Sequence, residues 1–276
     1  MWTRYYAIVF SVGLGSLLTN CGTRSAPVAS DPNSAPLASN PNVGSGRPTG
    51  APFGSEIVIS RRQYVLSWNK DRRLINWAAW RLRDADMGDT DRGQGFTVDT
   101  AIQPGAAVTT HDFDSSCFDR GHQVPSADRT DSEVDNSATF VMSNVIPQTS
   151  YLNRGHWKAL ENHTRGLVRG TPNSLYVFAG PIFSASPGHI GQNDDIAVPV
   201  KNFKIIVRIK ANGQPELVDA VVMPNTTSTG TDPVIDHAQA CADQTGHGGP
   251  HGTWEQYRST VAAIESQSGL QFSFLH

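Results

Sequence analysis

Between Arg62 and Asn69 the chain alternates. Tyr64, Leu66 and Trp68 fall on one side and Val65 and Ser67 on the other, the period-two pattern of a strand. Ile75 to Leu82, with Trp77 and Trp80, is apolar and aromatic enough for a buried strand. Asp84 to Gln103 is polar and glycine-containing and reads as a loop. Asp119 to Thr130 has no period, as expected of a loop leaving a strand, and Ala138 to Val145 predicts a further strand. From Asn153 to Val168 the spacing changes. Trp157, Leu160, Thr164 and Leu167 recur at three- and four-residue steps, which predicts a helix with one face toward a core. Leu175 to Phe183, Phe203 to Ile209 and Leu217 to Met223 are strands separated by turn residues, and Trp254 to Glu265 is a final helix stopped by Gly269. Strands and helices do not alternate regularly. The pattern therefore predicts an α+β fold with a mainly antiparallel central sheet flanked by helices, not a doubly wound one.

The N-terminal stretch is patterned differently. Arg4 precedes an apolar run from Tyr5 to Leu18, too short to span a bilayer as a helix and suited to the core of an export signal. Residues 1–21 read as a signal peptide. Cys21 is either the lipid-anchored first residue of a lipoprotein or a neighbour of an ordinary secretory cleavage site; Asn20 stands where a lipoprotein box has a small residue. Residues 22–55 are rich in Ser, Pro, Asn, Ala and Gly and predict a flexible linker. One domain remains, from 56 to 276, in a chain that is exported: periplasmic, extracellular or lipid-anchored at the cell envelope.

Composition narrows the class. Hydrophobic residues make up 38% and charged residues 17%, enough apolar material for a core. The net charge is −3, and removing the first fifty residues leaves 19 of the 22 basic and 24 of the 25 acidic side chains, or −5. No run of Lys and Arg forms a polyanion-binding arm, which argues against a protein that coats nucleic acid. It argues less against an enzyme, whose local arginines and bound cation can reverse the sign of a cleft. Cys117 and Cys241 are either a single disulfide or two buried thiols, and an oxidising compartment favours the bridge.

The chemistry-bearing residues cluster at Asp119-Arg120-Gly121-His122-Gln123-Val124-Pro125-Ser126-Ala127. His122 has the imidazole that can take a proton from water near neutral pH. Asn153 follows about thirty residues later; its carboxamide is either a helix N-cap or a neutral oxygen ligand for Mg²⁺, which keeps most of its waters and needs few protein ligands. On a straight helix Glu161 lies about 80° round and about 12 Å along from Asn153, placed to reach a metal-bound water rather than the metal. Arg165 extends the same stripe, or pairs with Glu161 across one turn. Arg92, in the polar loop, is either a solvated arginine or a clamp for phosphate oxygens, and spacing alone does not select it.

This motif resembles the signature of the DNA/RNA non-specific endonucleases, the ββα-metal nucleases. The similarity extends over most of the body: Tyr64 to Asn69, Asn76 to Trp80, Ser126 to Thr130, Asn136 to Phe140, Asn144 to Gln148, Asn153 to Trp157 with Leu160 and Glu161, and Ala179 to Ile182. It implies a ββα-metal active site in which His122 is the general base and Asn153 the direct ligand of a single Mg²⁺, with Mn²⁺ as a substitute. Glu161 would hold metal-bound water and Arg92 the phosphate in the transition state, with Arg120 and Arg165 on the substrate and Asp119 in support. The implied reaction is hydrolysis of DNA and RNA to 5′-phosphate products with little sequence or sugar preference, since the invoked contacts go to phosphate. Neither an inhibitor nor a dimer partner is legible. Two other readings use the same fold: an inactive nucleic-acid-binding module, and a small-molecule phosphodiesterase. A rival zinc site at His247 and His251 with His237 and Asp236 is disfavoured, because Gly and Pro between the histidines preclude a helical pair.

Overall fold

The apolar runs pair edge to edge. The computed structural model describes residues 31–50, 56–93, 95–228, 230, 232–234, 236–242 and 253–276, with Met1. Its strands are β1 Glu56–Ser60, β2 Val65–Asn69, β3 Leu74–Arg83, β4 Asp119–His122, β5 Val145–Gln148, β6 Ser174–Ile182, β7 His189–Ile190, β8 Ile196–Ala197, β9 Lys201–Ile209 and β10 Pro215–Pro224. Six of them form one antiparallel sheet in the order β1-β2-β3-β6-β9-β10; β4 pairs with β5, and β7 with β8, in two small hairpins. The helices are α1 Glu133–Ser137, α2 Lys158–Gly166, α3 His237–Ala242 and α4 Val261–Ser268. The architecture is α+β.

The large sheet has two covered faces, and period-two pleating sorts its side chains between them. Ala78, Trp80, Val177, Ala179 and Ile206 pack with Trp157 and Leu160 of the α2 segment. Trp77, Ala79, Phe178, Phe203, Ile205 and Val207 pack with Ile264 of α4, Leu270 and Phe272. That explains why β2 is buried at every position instead of alternating.

Four sequence expectations are corrected. Asp119 to His122 is itself a strand, β4, not loop; its hydrogen-bonding partner β5 is remote in sequence. The strand expected over 138–145 begins only at Val145, because Asn144 spends its side chain on the Val124 amide and on the Val124 and Thr139 carbonyls. The helix expected from Asn153 starts at Lys158, after a wide π-type turn over Leu152–Trp157 in which Gly155 leaves helical dihedrals. The final helix is split. A 3-10 turn, Trp254–Tyr257, precedes a break where Arg258 bridges to Val221 and the Ser259 amide donates to Ala220, and α4 restarts with Thr260 as cap. Gly269, in the left-handed region at φ 73°, does end it.

The linker expectation does not extend over residues 31–50. Asn40 and Asn42 are buried and donate to the Arg61 and Arg62 carbonyls, tying this segment to the body. The signal peptide, Cys21 and the His247–His251 pair lie outside the described residues. Cys117 and Cys241 are joined as a disulfide, Cα to Cα 5.0 Å, anchoring α3 just ahead of β4.

Candidate active site

β4 delivers the motif to the mouth of a cleft of about 450 Å³. Gly121 is needed for close approach: a Cβ there would run into the Gln148 side chain on β5. Beyond β4, the Asn144 carboxamide and carbonyl hold Val124 and Gln123. The Asn136 side chain donates to the Ser126 and Arg129 carbonyls and accepts from the Gly93 amide, drawing the Arg92 loop over the motif. The π-type turn and α2 form the opposite wall. The cleft is lined by Arg92, Arg120 and His122 on one side and by Asn153, Arg154, Lys158, Glu161 and Arg165 on the other. Residues from three parts of the chain thus converge, and β4, β5 and α2 make a ββα unit.

His122 is 8% exposed and packed between aromatic rings, Phe96 at 5.0 Å and Phe140 edge-on at 4.9 Å. Its Nε2 is buried with no hydrogen-bond partner. Burial first, and the Arg92 guanidinium second, push its pKa down to about 3. The ring is a neutral base at all physiological pH, not a group titrating near 6.5.

Arg92 donates to the Ser126 hydroxyl at 2.7 Å and lies 5.0 Å over the Phe140 ring. Arg120 donates to the Thr110 carbonyl at 3.2 Å. Asp119 supports the cleft from beneath: Oδ2 accepts from Asn153 Nδ2 at 2.8 Å, and both carboxylate oxygens accept from Arg154, at 2.8 and 2.6 Å. Asn153 lies inside the π-type turn rather than at its cap, which is Tyr151, so it is no N-cap; with its nitrogen engaged by Asp119, its oxygen is the atom left for the cleft. Arg165 does not pair with Glu161. It donates to Asp128 Oδ1 at 2.9 Å, while Trp80 Nε1 donates to Asp128 Oδ2 at 2.9 Å. Glu161 stands 3.8 Å from Lys204 Nζ. Burial raises the Glu161 pKa and lowers that of Lys204, each opposed by the other's charge.

The donor set fits a hard cation. One carboxamide oxygen and one carboxylate suit an ion that keeps most of its waters. Among the described residues no three His, Cys, Asp or Glu side chains gather as zinc would require.

The family model for DNA/RNA non-specific endonucleases matches residues 44–275. The chain belongs to this family. A nuclease of Nostoc sp. is 32% identical over 233 residues, covering 82% of this chain and 78% of the relative. Human mitochondrial endonuclease G is 36% identical over 178 residues, covering 60% of this chain and 59% of that protein. The crystal structure of an EndoG/EndoGI complex superposes with a TM-score of 0.68 at 25% identity, over 85% of this chain and 91% of the solved one. As a member of the non-specific endonucleases, the protein is a nucleic-acid hydrolase of a metal-dependent class.

Sequence reasoning missed Arg154, Lys158, Asp128 and Lys204. Arg154 and Lys158 are visible only once the π-type turn sets their direction. Lys204 did carry a signal, a lysine inside the apolar run Phe203 to Val207.

Proposed function

We propose that the protein is an exported, Mg²⁺-dependent endonuclease, with Mn²⁺ able to substitute, that cleaves DNA and RNA without sugar preference and leaves 5′-phosphates. The observation that carries this reading is a neutral imidazole with an unpartnered nitrogen, set in one cleft with a carboxamide oxygen and five cationic side chains. His122 accepts a proton from the attacking water. Asn153, steadied by Asp119, and Glu161, through water, would hold the cation. Bound there, a divalent ion supplies positive charge to the scissile phosphate and the departing 3′-oxygen. Arg92, with Arg120 and Arg165, neutralises the phosphate oxygens during in-line displacement. Export fits the Cys117–Cys241 bridge, since disulfides persist in oxidising compartments.

Closed circular plasmid, single-stranded DNA and RNA test the reading together. All three should be degraded, cleavage should stop with EDTA, and Mg²⁺ or Mn²⁺ should restore it. Binding to plasmid without nicking would leave a binding module, and hydrolysis confined to small diesters would leave a phosphodiesterase. Asn153→Ala should shift the metal titration curve to higher concentration, and an unshifted curve would remove Asn153 as ligand.

A further inference from the structure

Lys204 sits in the middle of β9, between Phe203 and Ile205, paired with Ala179 on one side and Val221 on the other. Pleating sends its two neighbours to the α4 face and Lys204 to the face that carries the cleft. The side chain is 1% exposed. Its Nζ lies 4.2 Å from the centroid of the Trp157 ring, 5.6 Å from that of Trp80 and 3.8 Å from Glu161 Oε1. A buried ammonium persists only where its charge is compensated, and two indole faces and a carboxylate do this here. Lys204, Arg165 and Arg92 supply positive charge near Glu161, and Asp128 negative charge. Asp128 is already engaged by Arg165 and the Trp80 indole. Glu161 is therefore the acidic partner left to Lys204. Lys204 does not line the cleft, whereas Glu161 does.

We propose that Lys204 is a positioning residue for phosphodiester cleavage: from behind the cleft, its ammonium, clamped on Trp157 and Trp80, fixes the place of the Glu161 carboxylate. This rests on the role given to Glu161 above. Lys204 touches no substrate, and its effect passes through one side chain.

A double-mutant cycle separates this from simple core packing. Lys204→Met keeps the length and removes the charge, and Glu161→Gln keeps the shape of its partner. On plasmid with Mg²⁺, Lys204→Met should lower kcat about 10- to 100-fold, the scale of a misplaced active-site group. KM should stay within about twofold, because the phosphate-binding arginines are untouched. In the Glu161→Gln background the same change should cost less than about threefold, since the group it positions is already gone. An equal loss in both backgrounds, or wild-type kcat in Lys204→Met, overturns the proposal. Should Lys204→Met fail to fold, the double variant decides. It leaves no orphaned buried charge, so it should melt within a few degrees of wild type, turning over at the Glu161→Gln rate; turnover far below that rate overturns the proposal. Wild-type kcat in Glu161→Gln removes the role of Glu161 itself, while a crippled Glu161→Gln beside an unaffected Lys204→Met removes this inference alone.

Discussion

Burying an imidazole changes what it can do with a proton. Between Phe96 and Phe140, and near Arg92, the charged form of His122 is disfavoured, so the ring waits as a neutral acceptor. Two outcomes follow at this scale. His122→Ala should lower kcat by about 10²–10⁴ while folding normally, the usual worth of a positioned general base. With His122 as the proposed base, the acid limb of the kcat/KM profile should lie well below pH 6.5, because burial and Arg92 push the ring's pKa down to about 3. A limb near 6.5 would mean that the folded environment does not depress the ring. The same shift acts on stability. Between the folded value and about 6.5 the unfolded chain binds more protons, so His122 contributes its full stabilisation above about pH 6.5 and loses it progressively as pH falls toward the folded value.

The β4–β5 hairpin is short, yet it sets the register of the whole site, since Asp119 is opposite Gln148 and His122 opposite Val145. Sheet pairing has a period of two, so a one-residue slip would turn His122 from one face of the hairpin to the other. Gly121 guards that register by leaving room for Gln148, which is wholly buried. Gly121→Ala should therefore destabilise by about 1–3 kcal/mol, the cost of overpacking, and should lower turnover by more than the melting shift explains. Wild-type turnover and melting together would show that the hairpin yields without cost. The break at Gly155 matters in the same way. It replaces the straight-helix relation between Asn153 and Glu161 with one set by a turn, and it leaves Asn153 bonded to Asp119 across the cleft floor.

Across the molecule, charge and cross-linking act over longer distances. The net charge is −3, yet Arg92, Arg120, Arg154, Lys158 and Arg165 line one cleft, so the attraction for polyanions is local. The Cys117–Cys241 bridge spans 124 residues and ties α3 to the strand that carries the motif. On the chain-entropy account, closing such a loop stabilises by about 4–5 kcal/mol. Cys117→Ser with Cys241→Ser should lower Tm on the order of 10 °C, read by calorimetry with and without reductant. A Tm unmoved by either would make the bridge incidental to stability.

Local pattern was sufficient where one residue's chemistry or a simple period carried the information. The apolar runs of β3, β6, β9 and β10, the stop at Gly269 and the motif at Asp119 to Ala127 are all legible from residue order, because burial and turn chemistry act on near neighbours. The grouping of His122, Asn153, Glu161, Arg92, Arg120 and Arg165 rests instead on the resemblance to the endonuclease family, since spacing alone does not select Arg92; the structure places these six around one cavity and bonds Asp119 to Asn153. Tertiary contact decided the rest. Asp119 to His122 is a strand only because Val145–Gln148 arrives beside it, and α2 begins late because the π-type turn over Leu152–Trp157, with Gly155 out of helical dihedrals, precedes it. The depressed pKa of His122 and the burial of Lys204 against Glu161 depend on what other segments bring to those side chains. Desolvation and ion pairing are properties of assembled surroundings, and no window of residues along the chain contains them.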